Sequence, residues 1–155
     1  MKKYIFIVSL LCLLAACTGK RQGEAAAKVA ALPAVEDVVM YQVNPRVFAP
    51  EKSFKAVERR LDSIQALGIN VVWFMPINEV GQDKSVNSPY CVKDYKGVNP
   101  EFGTLDEFKA LVATCHQKGI NVIIDWVANH TSWDNAWIAN KEWLSLIHIS
   151  EPTRH

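Results

Sequence analysis

Four side chains and one cysteine in this 155-residue chain carry recognisable chemistry. Asp125 closes the apolar run Val122-Ile123-Ile124, and three mostly apolar residues separate it from Asn129-His130. A carboxylate at the end of an apolar run accepts hydrogen bonds, and an imidazole can donate or accept them. The side-chain carbonyl of Asn129 is a hard oxygen ligand of the kind Ca2+ takes, although one carbonyl does not make a metal site. Tyr90 lies in the loop Pro89-Tyr90-Cys91-Val92-Lys93-Asp94-Tyr95 and offers an amphipathic plate with a polar tip. Cys17 follows Leu14-Ala15-Ala16 at the end of an uncharged, mostly apolar run from Tyr4.

The elements that must position these groups follow from hydrophobic patterning. Three apolar runs read as strands: Val38-Val39-Met40-Tyr41 continuing through Val43, Val71-Val72-Trp73-Phe74, and Val122-Ile123-Ile124. They are continuous rather than alternating, as expected of parallel strands buried on both faces. Between the first two, Ser53 is expected to cap a helix with Phe54, Val57, Leu61, Ile64 and Leu67 on one face, stopped by Gly68. Between the last two, Thr104 and Glu107 form a capping box, with Leu105, Phe108, Leu111, Val112 and Cys115 as the stripe and Gly119 as the stop. Both helices end in Gly-Ile-Asn, at 68–70 and 119–121. The order β-α-β-α-β with this repeated ending predicts parallel strands joined by right-handed crossovers. About thirty Asn-, Pro-, Asp- and Gly-rich residues separate Phe74 from Thr104, and long loops of that kind are usually functional.

Composition narrows the function. The chain is 50% hydrophobic and 21% charged with a formal net charge of +1, which excludes a strongly electrostatic partner such as duplex DNA. Lys2 and Lys3 precede an apolar core too short to span a bilayer but suited to a signal peptide over residues 1–16. Its end resembles the bacterial lipoprotein cleavage box, which implies that Cys17 is acylated and becomes the new N-terminus. Residues 17–35 then read as a tether holding a domain off a membrane of the bacterial cell envelope, at its periplasmic side or outer surface. Cys91 and Cys115 have no metal-ligand spacing, and Cys115 reads as a buried small hydrophobe. His116 carries no functional weight. Trp133, Trp137 and Trp143 read as packing residues rather than a platform.

The stretch Asp125-Trp126-Val127-Ala128-Asn129-His130 resembles the first conserved region of the α-amylase family, family 13 of the glycoside hydrolases. Pro89 to Tyr95 resembles that family's Gly-Tyr-x-x-x-Asp-Tyr loop, with Pro89 standing where many relatives carry Gly. Val98-Asn99-Pro100-Glu101-Phe102-Gly103-Thr104, Tyr41-Gln42 and Trp73-Phe74-Met75-Pro76-Ile77 match as well, in order. The resemblance implies an α/β fold over residues 36–143, the first three strands and two helices of a (β/α)8 TIM barrel. A whole barrel takes roughly 250 residues, with its chemistry at the C-terminal strand ends.

The resemblance also assigns roles. Tyr90 would lie against the C–H face of a sugar, His130 would donate to a hydroxyl of the same sugar, and Asp125 would organise the site without being the nucleophile. Asn129 binds a structural calcium in many relatives and braces the loop in others. Asp94 and Tyr95 would brace the loop. Asp125 typically pairs with an Arg from a later strand; without it, a lone carboxylate is expected to be solvated. The substrate class implied is an α-linked glucan or maltooligosaccharide. Retaining hydrolysis needs two carboxyls roughly 5 to 5.5 Å apart. In the family these, and a third supporting Asp, come from strands four, five and seven, so none of them is expected within the first three strands. The expected parent is a retaining α-glucan hydrolase, and the 155-residue chain alone is expected to be inactive. A transglycosylase or sugar isomerase of the same family and a non-catalytic glucan-binding lipoprotein are the competing readings.

The run Leu144 to Arg154 changes character abruptly and resembles, codon for codon, the translation of a transposase adapter used in sequencing libraries. Residues 144–155 are therefore expected to be foreign to the fold. A partial barrel is also expected to expose a strand edge and its inner face, with poor stability as the consequence.

Overall fold

The computed structural model describes residues 31–144; the leader, most of the tether, Cys17 and residues 145–155 lie outside the described residues. Three parallel strands form the central sheet in the order β1-β2-β5: β1 is Met40–Val43, β2 is Val71–Phe74 and β5 is Asn121–Ile124. Met40, Val71 and Asn121 stand in register, as do Val43, Phe74 and Ile124. Parallel pairing agrees with the continuous apolar runs. The first strand begins two residues later than its Val-Val start suggests, because Val39 N donates to the Asn70 side chain instead of joining the ladder.

The first crossover departs from the expected single helix. After a short helix α1 (Pro45–Phe48), it comprises α2 (Ser53–Glu58) and α3 (Leu61–Ala66), separated by a turn at Arg59-Arg60. Ser53 is not the cap. That position falls to Lys52 in the left-handed region at φ 50°, while Ser53 is buried and its hydroxyl donates to the Pro45 carbonyl at 2.5 Å. Phe54, Val57, Leu61 and Ile64 are buried as the spacing requires, but Leu67 is 69% exposed at the helix end. The second crossover helix, α4 (Leu105–Gln117), has the expected capping box: Glu107 N donates to Thr104 Oγ1 at 3.1 Å and Thr104 N to Glu107 Oε2 at 2.9 Å. Leu105 proves exposed, in the first turn. Cys115 is fully buried, and loss of water pushes its thiol up to about 12.

Both helix stops are glycines at positive φ, Gly68 at 80° and Gly119 at 73°, where a Cβ would be strained. The Asn two residues on does repeated work. Asn70 accepts from Val39 N at 2.9 Å and donates to the Asp37 carbonyl at 2.7 Å, and the Asn121 amide reaches the Ala31 carbonyl at 3.4 Å. Each ties a strand start to the segment that leads into β1, and Ala34 and Val35 carry that segment into a 3-10 turn at Val35–Asp37.

Strand side chains alternate between faces. Val43, Val72 and Phe74 meet Phe54, Val57, Leu61, Ile64, Phe108, Leu111 and Cys115 in one core. Its centre is aromatic: Phe54 and Phe108 lie 5.0 Å apart between ring centroids, and Phe74 meets Phe108 edge-on at 5.5 Å. The opposite face carries Trp73, Ile123 and, one step past the strand, Asp125. It is open, as is the β5 edge: Met40, Ile123 and Ile124 are each more than 40% exposed.

The long segment after β2 is not structureless. It folds into a small antiparallel hairpin, β3 (Glu79–Val80) with β4 (Val92–Asp94). After β5 the chain runs through loops and two 3-10 turns, Ala136–Ala139 and Lys141–Trp143, so the Trp spacing there does not mark an α-helix.

Phe74→Ala should cost about 3–5 kcal/mol by opening a cavity against Phe108, read as a shift in the denaturant midpoint. Leu67→Ser should change stability by no more than about 0.5 kcal/mol, because the side chain is already in water. Equal effects for the two would contradict this packing.

Candidate active-site rim

Asp125 is the first residue beyond β5, and its backbone N–H still donates to the Phe74 carbonyl at 2.9 Å. That bond extends the β2–β5 ladder and fixes where the carboxylate emerges, at the C-terminal end of the parallel strands. Trp73, on the same face of β2, donates its indole Nε1–H to Asp125 Oδ1 at 2.6 Å. Tyr90, from the hairpin loop, donates its hydroxyl to Asp125 Oδ2 at 2.9 Å. The carboxylate therefore has a donor on each oxygen. The expectation of a merely solvated carboxylate is corrected: an indole and a phenol provide the order that a guanidinium would otherwise supply.

The Tyr90 ring is 38% exposed, so one end is pinned while the plate stays available. Its phenol is raised above the ordinary range, first by the hydrogen bond to Asp125, then by partial burial and the Asp125 charge. Tyr90 and Asp125 are thus brought together. Asn129 and His130 are exposed beside them in sequence, with Asn129 Nδ2 3.4 Å from His130 Nδ1. Neither side chain hydrogen-bonds to Tyr90 or Asp125.

The loop carrying His130 is nonetheless fastened to the hairpin carrying Tyr90. The Val92 carbonyl accepts from Thr131 Oγ1 at 2.7 Å, from Ser132 N at 3.0 Å and from Asn135 Nδ2 at 3.3 Å. The Tyr95 hydroxyl sits 2.8 Å from the Val127 carbonyl and 2.7 Å from that of His130, and its ring stacks on Trp137 at 4.9 Å between centroids. Burial raises the Tyr95 phenol above its ordinary range. Asp94 turns back on its own loop, accepting from Lys96 N at 2.8 Å. Trp126, Trp133 and Trp143 are largely exposed rather than packed, and Lys84 Nζ lies 4.3 Å from the Trp133 ring centroid.

Sequence patterning alone left Trp73 as a strand residue. The missed signal is its register: it pairs with Ile123, two residues before Asp125 on the same face, and a half-buried indole N–H needs an acceptor. For calcium, Ca2+ takes six to eight oxygens. Among the described residues no group of three or more His, Cys, Asp or Glu gathers to hold a metal, and Asn129 brings one carbonyl. Among the described residues that donor set is too small for the ion. Among the described residues, hollows of about 230 and 220 Å3 lie elsewhere and are lined by neither Tyr90, Asp125 nor His130. The site is an open rim.

A family model described as the α-amylase catalytic domain matches residues 52–145. The chain belongs to the α-amylase family. It is 33% identical over 112 residues to a probable oligo-1,6-glucosidase 2 of Bacillus subtilis (strain 168), covering 69% of this chain and 19% of that protein. It is 38% identical over 103 residues to an amino acid transporter heavy chain of Homo sapiens, covering 63% of this chain and 15% of the other. Among solved structures, a maltogenic α-amylase of Thermotoga neapolitana superposes with a TM-score of 0.70 at 31% identity, over 77% of this chain and 30% of that one. The chain spans about a fifth of the length of the curated relatives it matches. Its three strands and crossover helices are an N-terminal portion of the family's TIM barrel.

Asp125→Asn should return the Tyr90 phenol toward the ordinary value of about 10. The sign follows from the raised folded-state pKa: the stabilising effect of the bond is complete at neutral pH and fades as pH climbs through the Tyr90 titration. Tyrosine 13Cζ NMR titration, with Tyr90→Phe for assignment, reads this directly. An unchanged titration in Asp125→Asn would refute the pairing.

Proposed function

We propose that this α-amylase-family rim grips one glucose unit of an α-linked glucan. The Tyr90–Asp125 bond at the strand ends carries the reading. It holds an aromatic plate at a fixed tilt beside a carboxylate, the combination that suits a ring with a C–H face and an equatorial fringe of hydroxyls. His130 would donate to a hydroxyl of the same sugar, with Asn129 bracing its loop. The parent activity this supports is retaining α-glucan hydrolysis, in keeping with relatives named as oligo-1,6-glucosidases and a maltogenic α-amylase.

The 155-residue chain itself would bind without cutting. Cleavage with retention needs a carboxyl pair across the bond, whereas the hydrogen-bond partners of Asp125 are an indole and a phenol. A second reading is a non-catalytic glucan-binding lipoprotein of the same family, in keeping with a relative named as an amino acid transporter heavy chain. Anchoring belongs to the same proposal: Cys17 would carry the lipid and residues 17–35 would act as the spacer from a bacterial envelope membrane.

Titration of the full chain with maltoheptaose should produce saturable NMR shifts and no new reducing ends. Tyr90→Ala should weaken binding roughly two- to tenfold, the worth of an aromatic contact. Release of reducing sugar would defeat the inactive-chain proposal, and absence of binding would defeat the glucan reading. In a bacterial host, labelled palmitate should enter the chain and be lost in Cys17→Ser; equal labelling would exclude Cys17 as the acylated residue.

A further inference from the structure

The hairpin and the β5 loop meet closely at Gly81. A Cβ built there would lie 2.2 Å from Ser132 Cβ, 2.4 Å from Asp134 Oδ1 and 2.6 Å from Ser132 Oγ, so no other residue fits without displacing the loop. Ser132 Oγ and Asp134 Oδ1 are both buried at this contact without an aligned hydrogen bond. Leaving two such atoms underused costs stability and calls for a reason. The other carboxylate oxygen is engaged: Gln82 N donates to Asp134 Oδ2 at 3.0 Å. That bond, with help from the nearby Ser132 hydroxyl and Lys93, holds the Asp134 carboxyl below its usual range.

The contact lies one hydrogen bond from the rim. Gly81 N donates to the Cys91 carbonyl at 2.9 Å, and Cys91 directly follows Tyr90. Ser132 in turn donates its N–H to the Val92 carbonyl. A displacement at Gly81 therefore moves the backbone on which Tyr90 is mounted, relative to the strand end that presents Asp125.

We infer that Gly81, Ser132 and Asp134 form a clasp whose role is to position the Tyr90 plate against Asp125, making Asp134 a positioning residue of the rim. The clasp rests on the sugar-gripping reading only for its purpose; its geometry can be tested without a sugar. Asp134 touches neither Tyr90 nor Asp125 and acts through Gln82, Gly81 and Cys91.

The test is the Tyr90 13Cζ titration in the full chain. Asp134→Ala removes the acceptor for Gln82 N while the three bonds to the Val92 carbonyl persist, so the fold is expected to hold, as checked by the thermal transition. The Tyr90 phenol should then shift down toward its ordinary value. Asp134→Asn keeps an oxygen for Gln82 N and should restore most of the upward shift. Gly81→Ala should lower it at least as far as Asp134→Ala. A Tyr90 titration unchanged from wild type in folded Asp134→Ala would overturn the clasp and leave the site standing. A wild-type Tyr90 with an ordinary titration would remove the Tyr90–Asp125 pairing and the clasp's purpose together. Loss of the Tyr90 shift in Asp134→Asn equal to that in Asp134→Ala would overturn the part assigned to the Gln82 bond.

Discussion

One carboxylate with a donor on each oxygen organises this molecule's functional face. Asp125 receives the indole of Trp73 from the neighbouring strand and the phenol of Tyr90 from the hairpin. Either bond alone would leave rotational freedom; together they set the plane of the carboxyl and the position of the ring. Everything beneath serves that placement. The ladder between β2 and β5 puts Trp73 and Asp125 on one face, and the aromatic core on the other face keeps the two strands from sliding. A parallel sheet with helices on one side is well suited to the task, since every strand delivers its C-terminal residue to the same rim.

The strands were legible because their apolar runs are uninterrupted, although one face of the sheet stands open here, and those at 71–74 and 121–124 fall within a residue of the pattern. The helices were legible as stripes but not as units. The stripe Phe54, Val57, Leu61, Ile64 continues across the turn at Arg59-Arg60 because periodicity records which side chains reach the core, not whether each backbone bond is made. Leu67 and Leu105 matched the stripe and yet sit at helix ends in water, where the core has already curved away. The hairpin at 79–80 and 92–94 is too short for an alternating signal.

At the rim, motif resemblance pointed to Tyr90, Asp125, Asn129 and His130, and geometry joins only the first two directly. What resemblance could not convey is the bracing. Trp73 was hidden by looking like any strand aromatic, and the contacts of Gly81, Ser132 and Asp134 arise between segments some fifty residues apart, a distance at which no local pattern speaks. Main-chain acceptors are equally silent in a sequence, and two of the closest ties here end on them.

The Val92 carbonyl, which gathers three donors from the loop after β5, has an evolutionary corollary. An acceptor belonging to the peptide backbone survives any exchange of the residue that bears it, provided the strand stays in place. The lock is thus hereditary on one side and negotiable on the other: drift at positions 131 and 135 can loosen or retune the junction, while position 92 is free to answer only to the demands of its own buried surroundings.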